Sequence, residues 1–570
     1  MKRTWLAILV LLLLAAPAAV QAQSGSQFGY TTNADNTLTL TGYAGPPWTV
    51  TIPTNINGLL VTCIGDEAFA ASSLTSVTIP GSVASIGDQA FGDCVSLTSI
   101  MIPHSVTNMG NLAFADCFKL AAITVDPQNS FYSSTNGVLF DQSQSTLVEY
   151  PSGLGGSYTI PGSVTSIADY AFSYCYNLTN ITIPNGVTSI GDDAFENCTT
   201  LTSEIIPGSV TDIGEEAFAF CSSLGSVTIP DSVTSIGDYE FYACSSLTNV
   251  TIAEGVNNIG DDVFYDCSSL GSVTIPGSVN NIGEEAFCGC FSLTNLTISN
   301  GVTSIGEGAF SYCTNLTSAA IPGSVTNIGE GAFKACTSLV GISVDPQNSF
   351  YSSTNGVLFD QSQTTLVEYP GGLGGSYTIP GGVTSIGNAA FYECTSLTSV
   401  TIPGSITNIG DHAFYDCTNL TSVLIPGSVT SFGDIGDYAF FYCISVAGLY
   451  FTGNAPIVDS TMFDPESSAT VYYLPGTTGW SNSFAGFPAV LWNPLIQTGD
   501  SSFGVQNNQF GFTITNGSTT NIPIVVEACA NLASPVWTPL TNVTLTNGSF
   551  YFSDPQWTNY PSRFYGLGFP

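Results

Sequence analysis

The side chains in this sequence that could do chemistry are few and poorly placed for it. Acid–base or nucleophilic catalysis needs groups that titrate or attack near neutral pH, and neighbours that hold them. The sequence has two histidines and 16 cysteines among 570 residues. His104 replaces the glycine that usually follows a strand proline, and His412 sits at a freely varying place in Gly410-Asp411-His412-Ala413-Phe414. Both read as solvated surface side chains. Adjacent acids recur at Asp66-Glu67, Asp192-Asp193, Glu215-Glu216, Asp261-Asp262 and Glu284-Glu285. As catalytic dyads they would need a cleft. As a stripe they either cap short helical turns at an exposed edge or associate loosely with calcium, because stacked carboxylates repel and a divalent ion relieves that. No phosphate-cradling loop, metal-spaced His/Cys set or nucleophile elbow occurs. The expectation is a non-enzymatic protein with no catalytic residues, metal ligands or cofactor.

The cysteines instead report architecture. Thirteen of them, from Cys94 to Cys443, are spaced by 23 residues, with two steps of 58 and a last step of 26. Side chains at one repeat position form a ladder along a coiled chain. Neighbouring coils lie about 4.8 Å apart, inside the disulfide range, yet side chains in register point the same way and an odd number cannot all pair. Buried thiols packing as small hydrophobes and pairwise bridges are the two readings. Cys63, Cys288 and Cys529 stand outside the ladder.

A fixed period of 20 to 29 residues with L-x-x-L-x-L spacing is the signature of a leucine-rich-repeat solenoid, whose units must stack to bury their apolar faces. In one coil Leu224-x-x-Val227-x-Ile229 makes a short strand ended by Pro230, and Val233 and Ile236 turn the corner. Asp238 then caps a short helical turn through Phe241. The fold expected is a parallel β-sheet on one face, short helical turns on the other, and a small all-β C-terminal domain. A ladder of phenylalanines from Phe69 to Phe440 counts 14 coils within an array at 61–450, preceded by an N-terminal cap at 23–60. Hairpin inserts fall near 126–160 and 345–379, where Val125 to Ile167 reads nearly as Val344 to Ile386. A C-terminal cap of the array spans 451–495, and alternating segments with Asn-Gly turns make a β domain of 496–570.

Lys2 and Arg3, an apolar stretch from Trp5 to Ala16 and Val20-Gln21-Ala22 read as a signal peptide over 1–22. The apolar stretch is too short to span a bilayer, which takes about 20 residues. Removing it leaves Lys119, Lys334 and Arg563 against 42 acids, a net charge of −39. Three scattered cations cannot neutralise phosphates, so nucleic acid is excluded as a partner, and anionic membrane surfaces with it. The expected location is secreted or at the cell surface.

Leu-x-x-Val-x-Ile-Pro-x-x-Val-x-x-Ile-Gly-x-x-Ala-Phe-x-x-Cys, seen in Leu224 to Cys244 with Glu240 at the Ala position, resembles the BspA-like leucine-rich-repeat family, known also from treponemal surface proteins. The resemblance runs from about Thr37 to Leu495. It implies a surface or secreted protein, with adhesion to extracellular proteins among the family's activities and no catalytic residues to carry over.

A partner, an extracellular protein or a polysaccharide, would meet the residue between the two inward positions of each strand. It is threonine in most coils, including Thr78, Thr228, Thr251, Thr274 and Thr401, and departs to Met101, Ile205, Ala320 and Leu424. These four are candidate anchors, since interface energy comes from apolar and aromatic side chains; single exposed apolar residues are also ordinary. Phe131, Tyr132, Phe350 and Tyr351, which open the inserts, are a second candidate set, and Tyr242, Tyr265, Tyr392 and Tyr415 either cover coil edges or stack on sugar rings.

Overall fold

The computed structural model describes residues 27–202, 204–432, 438–457, 462–464, 468–517 and 522–569. The signal-like segment 1–22 lies outside the described residues. The chain divides into two compact units, Met1–Gly155 with Tyr170–Asn177, and Gly156–Asp169 with Leu178–Pro570.

Each coil of the second unit repeats one plan. Ser226–Ile229 alternates exposed and buried, with Val227 and Ile229 inward. It pairs in parallel and in register with Asn249–Ile252. After Pro230 the chain bends, the Val233 amide donating to the Pro230 carbonyl at 3.2 Å. Ser235–Ile236 then pairs in parallel with Asn258–Ile259. The two strand sets build five-stranded sheets over Glu204–Ile298 and Ser235–Ile328.

The third side of the coil corrects the expectation of short helical turns: no α-helix occurs among the described residues. Tyr239 and Ala243 are left-handed, at φ 58° and 54°. This alternation turns every second amide outward along the stack. Tyr239, Phe241 and Ala243 donate to the carbonyls of Asp261, Val263 and Tyr265 in the next coil at 2.9, 2.9 and 2.7 Å. A helical turn would spend those amides within its own segment and leave the neighbouring coil's carbonyls unpaired. Inter-coil bonding wins because buried backbone groups must be satisfied.

The core is a stack of identical side chains. Phe195, Phe218, Phe241, Phe264, Phe287, Phe310 and Phe333 are fully buried to within 1%, with successive ring centroids 5.0–5.4 Å apart and near-parallel planes. The first unit stacks Phe69, Phe91 and Phe114 likewise. The inserts supply rungs of their own: Tyr150 stacks on Phe172 at 5.0 Å and Tyr369 on Phe391 at 4.8 Å. A count of phenylalanines alone passes over both.

Each insert begins at a buried asparagine that uses its whole amide. Asn348 donates to the carbonyls of Pro322 and Val325 at 2.9 Å and accepts the amides of Phe350 and Tyr351 at 2.8 Å. Asn129 does the same in the first unit. Tyr351–Thr354, Val357–Asp360 and Thr365–Glu368 then form an antiparallel meander, and its last strand joins Ser385–Ile386 in parallel. The hairpin therefore adds to the sheet.

At the C-terminal end, Gly375–Thr378, Leu397–Thr401, Ser422–Ile425, Gly448–Phe451, Thr470–Tyr473 and Phe487–Leu491 continue one sheet in parallel. Beyond it, residues 494–568 form antiparallel sheets of four and three strands. Among the described residues they form no core of their own. Phe512, Ile514, Ile524, Val526 and Phe552 share one apolar cluster with Tyr450, Tyr472 and Trp492 of the preceding sheet. The expected separate β domain is thus a cover built onto the last coils.

Candidate binding surface

The outward rank of the repeat sheet is the surface that the array leaves open. In the second unit Thr228 faces Thr251 and Thr274 faces Thr297 in register, and all four are exposed. Ala320 continues the outward position, paired with Ser343, and is exposed. In the first unit Met101, 61% exposed, pairs with Thr124. The backbone of Ile205 pairs with Thr228; its side chain lies outside the described residues.

Leu424 belongs to a different environment. Register carries the same rank from Thr401 to Leu424, Tyr450, Tyr472 and Val490. Tyr450 and Tyr472 stack at 5.0 Å and are buried, and Leu424 and Val490 pack half-buried against the C-terminal cluster. Leu424 is therefore already partnered within the chain. The turn from threonine to Leu, Tyr, Tyr and Val marks where the cover lies.

The insert aromatics divide in two. Phe131 and Phe350 are each 52% exposed. Tyr351 is half-buried, its hydroxyl accepting the Ile328 amide at 2.9 Å. Tyr132 takes the Met109 backbone in the same way, and burial pushes its phenol up. The tyrosines fasten the inserts; the phenylalanines face outward. On the turn side Tyr242 stacks on Tyr265 at 5.0 Å and Tyr392 on Tyr415 at 4.8 Å, and His412 stacks on Tyr438 at 5.2 Å. His104 Nδ1 lies 3.9 Å from the Asp126 carboxylate in an open setting.

The acidic stripe caps backbone, but across coils rather than along a helix. Asp238 Oδ1 accepts the Asp261 amide at 2.8 Å, and Asp261 Oδ1 accepts the Glu284 amide at 2.7 Å. Asp66 and Asp88 repeat the contact in the first unit. At Gly260 the close approach needs glycine, because a Cβ there would collide with Asp238 of the preceding coil. Asp262 is pushed up to about 6 by burial and the nearby Glu285. Among the described residues no group of three or more His, Cys, Asp or Glu could hold a metal ion.

All 16 cysteines are free thiols. Most ladder thiols donate to a phenylalanine carbonyl of the preceding coil, as Cys244 to Phe218 at 3.2 Å and Cys267 to Phe241 at 3.3 Å, while Cys175 and Cys394 donate to Tyr150 and Tyr369. Burial raises the Cys244 thiol well above its ordinary value, so it is a hydrogen-bonded core residue rather than a nucleophile. Carboxyls are drawn into the interior as well. Glu240, fully buried where the repeat has alanine, accepts the Gly237 amide at 3.0 Å, and desolvation pushes it up to about 8. Glu149 accepts the Phe114 amide at 3.2 Å and is likewise pushed up to about 8 by desolvation. Glu368 is raised by burial in the second insert, where it receives the Phe333 amide. In both inserts a carboxyl oxygen thus takes the place of the carbonyl that the next coil would have offered.

The model of the BspA-type leucine-rich-repeat region matches residues 62–157, 154–270, 234–365 and 375–484. Among solved structures, a leucine-rich-repeat protein from Bacteroides ovatus is 26% identical, with 74% of this chain and 93% of that one covered and a TM-score of 0.42. The pneumococcal vaccine antigen PcpA is 19% identical, covering 64% of this chain and 98% of its own, with a TM-score of 0.40. A leucine-rich cell surface protein from Faecalibacterium prausnitzii is 24% identical over 83% and 94%, with a TM-score of 0.32. No curated protein matches. A motif that recurs over most of the chain, in coils whose register it sets, leaves one assignment: the chain belongs to the BspA-type leucine-rich-repeat family.

Proposed function

We propose that the chain is a non-enzymatic, exported recognition or adhesion protein that binds an extracellular protein through the outward face of its repeat sheets. The observation that carries this reading is the contrast along one rank of side chains. Where the rank turns apolar, at Leu424, Tyr450 and Tyr472, the chain covers it itself; where it is threonine, from Thr228 to Thr297, it stands open. A flat, regular, hydrogen-bonding surface backed by a stacked core is suited to reading a partner over several coils. Met101 in the first unit and Ala320 in the second are apolar points of the outward rank, Ile205 is a third that its backbone register supports, and the exposed Phe131 and Phe350 of the inserts are a separate candidate pair. In this reading residues 1–22 direct export, 23–60 cap the array at 61–450, 451–495 end it, and 496–570 cover the end.

The test is capture of the full mature chain, 23–570, on immobilised extracellular proteins and polysaccharides. Saturable binding to a protein that falls at least about tenfold in a Thr251→Lys, Thr274→Lys variant supports the sheet face, since a rank of charge opposes close packing. Binding that is saturable but unchanged in that variant moves the site elsewhere. The second reading, a carbohydrate-binding or envelope-scaffold protein, draws on the stacked pairs Tyr242–Tyr265 and Tyr392–Tyr415; retention on glycans alone, lost in Tyr242→Ala and Tyr415→Ala, would put it first.

A further inference from the structure

Arg563 lies between the short 3-10 turn Trp557–Asn559 and the last strand, Phe564–Gly568. Its side chain is 9% exposed, and its charge is permanent. A buried guanidinium should have an acceptor for each N–H group it hides. This one does not. Nε is 2.9 Å from Asp554 Oδ2, close enough to pair charge but out of line for a hydrogen bond. Both oxygens of Asp554 are engaged elsewhere: Oδ1 accepts the Gln556 amide at 2.8 Å, and Oδ2 accepts the Tyr565 hydroxyl at 2.9 Å. Nη1 is buried with no acceptor among the described residues. The Tyr560 ring lies 3.9 Å from Cζ and sets the plane of the guanidinium without offering it an oxygen.

The same side chain lines two neighbouring cavities. One, of about 460 Å³, runs from Leu540 and Thr541 to Phe552 and Asp554. The other, of about 310 Å³, runs from Ala528 and Cys529 to Val536 and Tyr560. Leu540, Gln556 and Arg563 belong to both. Both are lined by residues of Thr538–Thr544, an edge strand of the three-stranded sheet. A fixed positive fork with an unmet donor, walled by leucine, valine, alanine and aromatic rings, describes a site for a small anion with an apolar body.

We infer that this is a binding site for an organic monocarboxylate, whose carboxylate pairs with the Arg563 guanidinium while its hydrocarbon part occupies the Leu540 wall. A carboxylate matches the fork geometry. A multiply charged anion such as phosphate fits less well, because Asp554 shares the wall and the chain carries a net charge of −37. Ala528, Val536 and Leu540 on the wall of the smaller cavity favour a branched aliphatic acid over a small hydrated one.

The experiment is titration calorimetry of the full mature chain with 4-methylpentanoate, its neutral amide 4-methylpentanamide, and inorganic phosphate. The expected result is saturable binding of the carboxylate, with the amide and phosphate at least about tenfold weaker. Arg563→Met should lower carboxylate affinity by a similar factor, and Asp554→Asn should raise it by removing the competing charge. Circular dichroism identifies any variant that fails to fold, and the comparison of acid with amide on the unaltered chain then decides. Two results overturn the inference: no saturation with the carboxylate, or equal affinity for acid and amide.

Discussion

At the residue scale the chain hides its chemistry. The ladder cysteines and several carboxyls are stacked into the core, and burial sets the protonation of those carboxyls. Glu240 is the clearest case. Its carboxyl is raised in the folded chain, so the native state holds a proton that the unfolded chain releases near pH 4.5. The stability it contributes is full below that value and is lost as pH rises through about 8. Glu240→Ala, which restores the repeat's own residue, should flatten that part of the pH profile, sparing on the order of 5 kcal/mol at pH 9. Urea denaturation at pH 5 and pH 9 would check it, and an equal pH slope in both proteins would refute it. The cysteines yield a second expectation. A thiol reagent should titrate essentially none of the ladder in the native state, reach half-buried Cys63 first, and count 16 after denaturation. Slow reaction without unfolding would mean that the ladder breathes.

At the scale of the coil, the turn side replaces a helix by alternating left-handed residues. Gln89, at φ 48°, is one that is exposed. An L side chain there costs roughly 1 kcal/mol relative to glycine, and the family of coils already uses glycine at Gly289, Gly308 and Gly331, all with positive φ. Gln89→Gly should therefore stabilise the fold by up to about 1 kcal/mol, whereas glycine in a helix interior would destabilise by a similar amount. The sign of the change in a denaturant melt separates the two geometries. The hairpin inserts were legible from their copied text and polar turn, but the two aromatic rungs they contribute, Tyr150 and Tyr369, were not. Tyrosine breaks the pattern of phenylalanines, and only the stacking shows that it does the same work.

At the scale of the whole molecule, the C-terminal segment acts as part of the solenoid's end. Stopping the chain after Leu495 would uncover Leu424, Tyr450, Tyr472 and Trp492 together, an apolar patch of the kind that drives association. The truncated protein should bind a hydrophobic dye strongly and self-associate on gel filtration. An independent C-terminal domain would leave the remaining chain monomeric and dye-silent, so this measurement decides between the two. The acidity of the chain acts at the same scale, keeping copies with so much exposed sheet face apart at low salt.

The period, the coil, its two inward strands and the buried Phe and Cys ranks are all legible in the sequence alone. These follow from local spacing, because each coil needs only its neighbour and repeats the same contacts. Tertiary structure decided three matters. It put the left-handed alternation where a helical turn was expected, because amides had to serve the next coil. It turned the acids into caps across coils, because the stack, and not the coil, is the unit that satisfies them. It folded residues 494–568 back onto Leu424, Tyr450 and Tyr472, a contact between distant segments that no period announces, although the loss of threonine from the outward rank is its trace in the sequence.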